Sequence, residues 1–144
     1  MATPTSVHLP SALNQAAPKS TPSEKPVFTG SVAIDMLHQH SPPSTEPADS
    51  SAAIAMVTFT PSARTNWHWH ERGQTLTVVK GQGWICDKSG KAKRIQAGDV
   101  LFCPAGTTHW HGADEGSEMM HLAVGLGETK WLEKVSDEEY AVKE

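Results

Sequence analysis

Two stretches decide the fold: S62-A-R-T-N-W-H68-W-H70-E-R-G-Q74-T-L-T-V-V-K-G81 and G98-D-V-L-F-C-P104-A-G106-T-T-H109-W-H111-G. In the first, His68 and His70 are two residues apart in a short run bounded by turn residues. On a strand that spacing sends both imidazoles to the same face. Gln74 follows the Glu71-Arg72-Gly73 turn at the head of the next strand, where its amide can swing back toward the same point. His109 and His111 repeat the two-residue spacing on a later strand. Neutral histidines crowded together need partners, and one divalent cation satisfies several nitrogen lone pairs at once. His68, His70, Gln74, His109 and His111 are therefore the candidate metal-ligating residues.

Around these stretches the chain is built of short apolar runs separated by Gly, Pro, Asp and Ser. From Ala53 onward these include AIAMVTFTP, QTLTVVKG, GWICDKSG, DVLFCP and MMHLAVGLG. That punctuation predicts antiparallel strands closing into a sandwich or barrel. The run FTGSVAIDML from Phe28 predicts a first strand, and HQHSPPSTEPADSS after it a loop carrying His38 and His40 as solvated histidines. Only SDEEYAVKE at the end has a helical signature, with Ser136 as its N-cap. Residues 1–27 are rich in Pro, Ser, Thr and Ala and predict a flexible arm, leaving 28–144 as one domain.

The bulk numbers set limits on function. The chain has 144 residues and a net charge of −4, so it offers no basic field for nucleic acid or anionic lipid. No stretch approaches the roughly 18 apolar residues of a membrane span, and the N-terminus lacks the basic and apolar regions of an export signal. A cytoplasmic protein acting on a small molecule is the expectation. Cys86 and Cys103 sit in apolar runs without metal-type spacing, as buried reduced thiols do.

The two quoted stretches resemble the two sequence motifs of the cupins. The first motif runs Gly, five residues, HxH, three or four residues, Glu, six residues, Gly; the second places Gly, Pro, Gly and a last His at the spacings of Gly98, Pro104, Gly106 and His109. Ser62 replaces the opening Gly, Ala113 stands at the usual closing Asn, and Gln74 takes the place of Glu. The resemblance implies an all-β, single-domain cupin, a double-stranded β-helix or jelly-roll barrel with a short C-terminal helix. Between Phe28 and Tyr140 the chain further resembles the bacterial cupins that include manganese-dependent (R)-selective hydroxynitrile lyases, often labelled as associated with carboxymuconolactone decarboxylases. That likeness implies one divalent ion, manganese first with Fe, Zn, Ni or Co as alternatives, held by His68, His70, Gln74 and His109. It also places the lyase active-site histidine on His121.

Read from the residues themselves, Met119, His121 and Ala123 alternate inward, so His121 and His111 can approach the metal without ligating it and, with a titration range expected near neutrality, move protons there. Ala55, Val57 and Gly125 are expected to line the pocket mouth with small groups, and Arg64 either orients a polar substrate or braces a turn. Trp67, Trp69 and Trp110 alternate with the ligands and face the opposite side. Three outward indoles need cover from the first strand, a second sheet or another subunit, and a homodimer or homotetramer is expected. Trp84 and Trp131 are assigned to core or interface. Beside a cyanohydrin lyase stand an isomerase or ketonising enzyme on unsaturated sugar acids, a dioxygenase, and a non-catalytic small-molecule or metal-binding cupin.

Overall fold

The computed structural model describes residues 26–143; most of the expected arm, residues 1–25, lies outside the described residues. Eleven strands follow one another: β1 (Phe28–Thr29), β2 (Val32–His40), β3 (Ala52–Phe59), β4 (Arg64–Thr65), β5 (His68–His70), β6 (Gln74–Asp87), β7 (Ala92–Gln96), β8 (Val100–Cys103), β9 (His109–Ala113), β10 (Met119–Leu126) and β11 (Thr129–Trp131). Helix α1 (Asp137–Ala141) closes the chain. Every pairing is antiparallel. The single strand expected from Phe28 is two, β1 and β2, broken at Gly30 with its φ of +84°, and β2 runs past Leu37 to His40 with a register shift between Met36 and His38, so His38 and His40 lie on a strand paired with β3 and not in the expected loop. His40 bonds Glu46 at 2.9 Å on the surface.

Two layers face each other across the barrel, and the 14-residue β6 belongs to both. Its first half lies between β10 and β8, its second half between β7 and β9. The bend falls at Gly81, where φ is +73° and an added Cβ would stand 1.9 Å from the Glu118 carbonyl oxygen. Only a residue without a side chain fits that crossing. Ser62, at the position of the motif's opening Gly, also carries a positive φ of 68°.

Register determines which side chains meet inside. Across β3, β10 and β6 the rows are Val57–His121–Val78, Ala55–Ala123–Leu76 and Ala53–Gly125–Gln74. At one end of the barrel the interior is an apolar core of Phe59, Ala63, Val78, Ile95, Ala113 and Met119. The other end collects the histidines.

Two of the three outward indoles find cover within the chain: Trp67 and Trp110 pack with Trp84, Cys86, Val135 and Tyr140 in a second cluster that includes the C-terminal segment. Trp69 is half-buried and lies outside that cluster. Each indole removes about 150–250 Å² from water, roughly 4–6 kcal/mol at ~25 cal/mol/Å². The segment is pinned by polar contacts. Ser136 Oγ accepts from the Glu139 amide at 3.1 Å while Glu139 Oε1 accepts from the Ser136 amide at 3.0 Å, a reciprocal cap. Trp67 Nε1–H donates to Glu139 Oε2 at 3.2 Å, and Tyr140 O–H donates to the Ala113 carbonyl at 2.6 Å. Arg64 donates to the Val135 carbonyl at 2.9 Å and to Asp137 at 2.8 Å, with its guanidinium 4.6 Å from the Tyr140 ring centroid. It braces this segment and does not enter the pocket. Both cysteines are free and buried, as expected.

Candidate metal centre

Strand pairing assembles the histidines. His68 lies directly opposite His109 in the β5–β9 pair, and their ring centroids are 4.4 Å apart. His70 is 5.2 Å from His68, and His111 is 5.2 Å from His68 and 5.6 Å from His109. Gln74 opens β6 opposite Gly125, where an added Cβ would stand 3.3 Å from His70 Nδ1. His121 reaches in from the other layer and places Nε2 3.1 Å from His111 Nδ1. All five histidines and Gln74 are buried.

Burial also sets their protonation. Desolvation pushes His68 and His111 well below the ordinary imidazole value of 6.5, and neighbouring histidines push further in the same direction. His109 is lowered by burial as well. His70 and His121 are driven down to about 4, His70 by burial and by His109, His121 by burial. At neutral pH each ring therefore carries one N–H and one lone pair. The expectation that His121 titrates near neutrality is corrected: a fully enclosed ring is too poorly solvated to hold the charge.

The hydrogen bonds then specify which nitrogen is free. His68 Nδ1–H donates to the Asn66 carbonyl and His109 Nδ1–H to the Thr107 carbonyl, both at 2.9 Å and both two residues upstream. Carbonyls only accept, so Nε2 of each ring is an unprotonated lone pair aimed inward. His70 Nδ1 meets Thr129 Oγ1 at 3.0 Å, and its buried Nε2 has no partner among the described residues. The buried Nε2 of His111 and Nδ1 of His121 are likewise without partners there.

At the centre His109 Nε2 faces Gln74 Oε1 at 3.2 Å, two acceptors pointed at each other. Turning the Gln74 amide end for end would relieve that pair but leave His70 Nε2 and His111 Nε2 unmet. Each buried polar atom without a partner costs about 1–3 kcal/mol. A cation among these atoms gives several of the lone pairs a partner at once, so the residues fit a divalent ion. His68, His109 and His111 could hold one, with ligand nitrogens all within 4.8 Å of one another. This geometric triplet includes His111, which the sequence reading kept for proton transfer. His70 and Gln74 stand at its edge with suitable donor atoms.

The pocket over these rings is a cavity of about 150 Å³, walled by Ala55, Val57, Ala123 and Gly125 on one side and by Phe28 and Trp131 on the other. Ala55, Val57 and Gly125 thus line the site as expected. Trp131 was not foreseen there: it is 41% exposed, and its ring lies over His68 at 4.6 Å between centroids and 37° between planes. The β5–β11 pairing sets Trp131 opposite His68, and nothing in the local sequence announces that pairing. A larger cavity, about 620 Å³, lies outside beside residues 39–53 and meets the first at Ala53 and Thr129.

Acid should destabilise the metal-free protein. Between an unfolded value near 6.5 and folded values near 4 for His70 and His121, the unfolded chain binds protons that the folded chain does not. Stability is then fully present above pH 6.5 and is lost as pH falls toward 4, at up to ~1.4 kcal/mol per pH unit for each such histidine. The melting temperature of chelator-treated protein should fall steadily from pH 7 to pH 5. A flat profile over that range would contradict the neutral assignment.

A jelly-roll barrel whose interior gathers neutral imidazoles and an amide able to hold a divalent ion defines a small metal-binding barrel. The chain belongs to the cupin family. The cupin domain matches residues 55–125. An (R)-mandelonitrile lyase from Granulicella tundricola is 43% identical over 118 residues, which cover 78% of this chain and 85% of that one. A cupin-like protein from Thermotoga maritima superposes with a TM-score of 0.74 at 34% identity, over 86% of this chain and 92% of its own. A polyketide cyclase from Streptomyces resistomycificus, with a TM-score of 0.60 and 20% identity over 82% of this chain and 81% of its own, shares the fold alone. Among the described residues no helix is long and apolar enough to cross a membrane.

Proposed function

We propose that the chain is a metal-dependent lyase that cleaves, and in reverse forms, small cyanohydrins of the mandelonitrile type. The observation that carries this reading is the His111–His121 pair beside the converging lone pairs: a proton-carrying group whose free nitrogen, His121 Nδ1, is buried in the pocket without a partner among the described residues. The likeness to the (R)-mandelonitrile lyase supports the choice of substrate. The ion, manganese before iron, zinc, nickel or cobalt, would be held by His68, His70, Gln74 and His109. When bound, such an ion supplies Lewis acidity toward a substrate oxygen, and a donor set without carboxylates leaves its charge undiminished.

The remaining work falls to the chain's own side chains. With Nε2–H of His121 donated to His111 Nδ1, the His121 Nδ1 lone pair accepts the substrate hydroxyl proton. The carbon–cyanide bond breaks, its electron pair leaves on cyanide, and the O–H electrons become the second bond of the aldehyde carbonyl. The imidazolium then returns its proton to cyanide. His111 holds the tautomer of His121 and shares the charge that forms. Ala55, Val57 and Gly125 leave room for the substrate's apolar group, and Phe28 and Trp131 give it an aromatic wall.

Mandelonitrile offered to chelator-treated protein and to protein reloaded with Mn²⁺, Fe²⁺ or Zn²⁺ should release benzaldehyde and cyanide only in loaded forms. Equal release without metal rejects the reading. No release with any ion while metal binds shifts the activity to the sugar-acid alternative.

A further inference from the structure

Two cavities meet at the mouth of the barrel, and the proposed reaction uses only the inner one. That chamber, over the imidazoles, measures about 150 Å³. Sites that enclose a whole small ligand run to roughly 300–1,000 Å³, so this chamber takes a head group and leaves the rest of a larger molecule outside. Outside lies the cavity of about 620 Å³, and Ala53 and Thr129 line both. Register sets their order along β3. Val57 stands level with His121 and Ala53 with Gly125, and Ser51 comes two residues further out, just before the strand begins. At ~3.3 Å per residue Ser51 is about 20 Å from the level of His121. Thr129 is the threshold: its Oγ1 meets His70 Nδ1 at 3.0 Å, and the same residue lines the outer cavity.

The outer wall is the connection from His40 to Ser51, and it is held in shape. Pro42 and Pro43 fix their own φ. The Glu46 amide donates to the Pro43 carbonyl at 3.0 Å and the Ser50 amide to the Pro47 carbonyl at 3.1 Å. Glu46 Oε2 accepts from Ser50 Oγ at 3.1 Å and bonds His40 Nε2 at 2.9 Å. The Gly127 amide donates to the Ser51 carbonyl at 2.7 Å, which ties this wall to the segment between β10 and β11.

The lining selects the chemistry of an occupant. Gln39, Ser41, Ser44 and Thr129 offer amide and hydroxyl groups that both donate and accept, and the hydroxyl of Ser51 is buried without a partner among the described residues. The two carboxylates, Glu46 and Glu128, are engaged by His40 and by Lys130, the latter at 2.8 Å. An anion would face both carboxylates, and a cation would have to displace His40 or Lys130. An apolar chain would desolvate polar groups and return no hydrogen bonds. An uncharged group rich in hydroxyls meets all of these conditions.

We propose that the substrate carries, beyond its reacting carbon, a neutral polyhydroxylated substituent such as a sugar ring, and that the outer cavity is the subsite for it. The inference rests on the cyanohydrin reading for the reacting end alone. The free hydroxyl and the nitrile stay at the imidazoles, the aryl ring lies along Phe28 and Trp131, and a glycosyl group on the far side of the ring passes Ala53 and Thr129 into the outer cavity. Mandelonitrile is then the head group of a larger substrate.

Binding without turnover tests this on the full-length, manganese-loaded protein, by calorimetry with 4-hydroxybenzyl alcohol and with its phenolic β-glucoside. Neither compound can release cyanide, so the result is independent of lyase activity. The glucoside should bind roughly tenfold tighter or more, the worth of one or two net hydrogen bonds. Ala48→Trp, at an exposed position lining the outer cavity, should erase that gain. If circular dichroism shows its fold disturbed, Ser44→Trp is the second variant. In turnover, kcat/KM for 4-(β-glucosyloxy)mandelonitrile should exceed that for 4-hydroxymandelonitrile, and the ratio should fall in the tryptophan variants. A binding preference for the glucoside with no cyanohydrin cleaved removes the lyase reading and keeps the subsite. Equal affinities, or weaker binding of the glucoside, overturn the subsite whatever happens to mandelonitrile. An equal gain from 4-hexyloxybenzyl alcohol overturns it too and gives the cavity to apolar chains, as does a glucoside gain that survives both tryptophan variants.

Discussion

Alanine at His68 or at His109 is expected to abolish divalent metal binding and with it the thermal stabilisation that metal confers. These two residues lie opposite each other across β5 and β9, with their rings tilted by 56°, and each has its Nδ1–H committed to a carbonyl, which leaves Nε2 as a pure acceptor. Loss of either removes a preorganised donor that no neighbour can replace. A ligand at a hundred times its Kd stabilises a fold by ~2.7 kcal/mol. For a domain of this size that is a melting shift of about 5–10 °C with Mn²⁺, which wild type should show and the variants should lack. Elemental analysis should find the variants empty; full occupancy in both would remove the proposed centre.

The same assay decides the rest of the ligand set. Gln74→Ala should weaken binding less, and Gln74→Glu should retain or tighten it, because a carboxylate adds charge attraction. His70→Ala should lose metal while His111→Ala keeps it. The opposite result would move the set to His68, His109 and His111, the three whose nitrogens already lie within 4.8 Å.

The second large effect is expected at His121. His121→Ala should keep its metal and lose lyase rate by roughly a hundredfold or more, the usual scale for a missing general acid or base. The ring is fully enclosed, sits 5.2 Å from Phe59 between centroids and leans on His111 through Nε2, so its Nδ1 is the nitrogen available to a substrate. His111→Ala should cost less, since it removes the partner that sets the tautomer and leaves the accepting nitrogen in place. Reading metal content and rate on the same sample separates a lost proton carrier from a lost ion. Cyanohydrin cleavage that survives in His121→Ala would discard this role.

Much of the site was legible locally because strand geometry has a period of two. His68 with His70, His109 with His111, and Met119, His121 and Ala123 each fall on one face by spacing alone, and each is found there. The helix at the end was equally readable, since Ser136 and Glu139 cap each other within four residues. Local pattern failed where a contact depends on elements distant in the chain. Trp67 and Trp110 were correctly turned away from the ligands, yet their cover is the segment around Val135 and Tyr140, joined through long-range packing. Arg64 was open between substrate and turn until the Val135 carbonyl and Asp137 were brought to it.

By itself, then, the sequence determined an antiparallel barrel, its two histidine pairs and the faces they share, because turn residues and side-chain alternation act over a few residues. Tertiary structure decided which pairs meet and in what environment. The β5–β9 register sets His68 against His109, β11 lays Trp131 over His68, and the closing of one layer on the other buries His121 against His111. Burial then holds these imidazoles neutral and leaves their lone pairs converging. Desolvation and strand register are properties of the assembled barrel, since both depend on groups far apart in the chain.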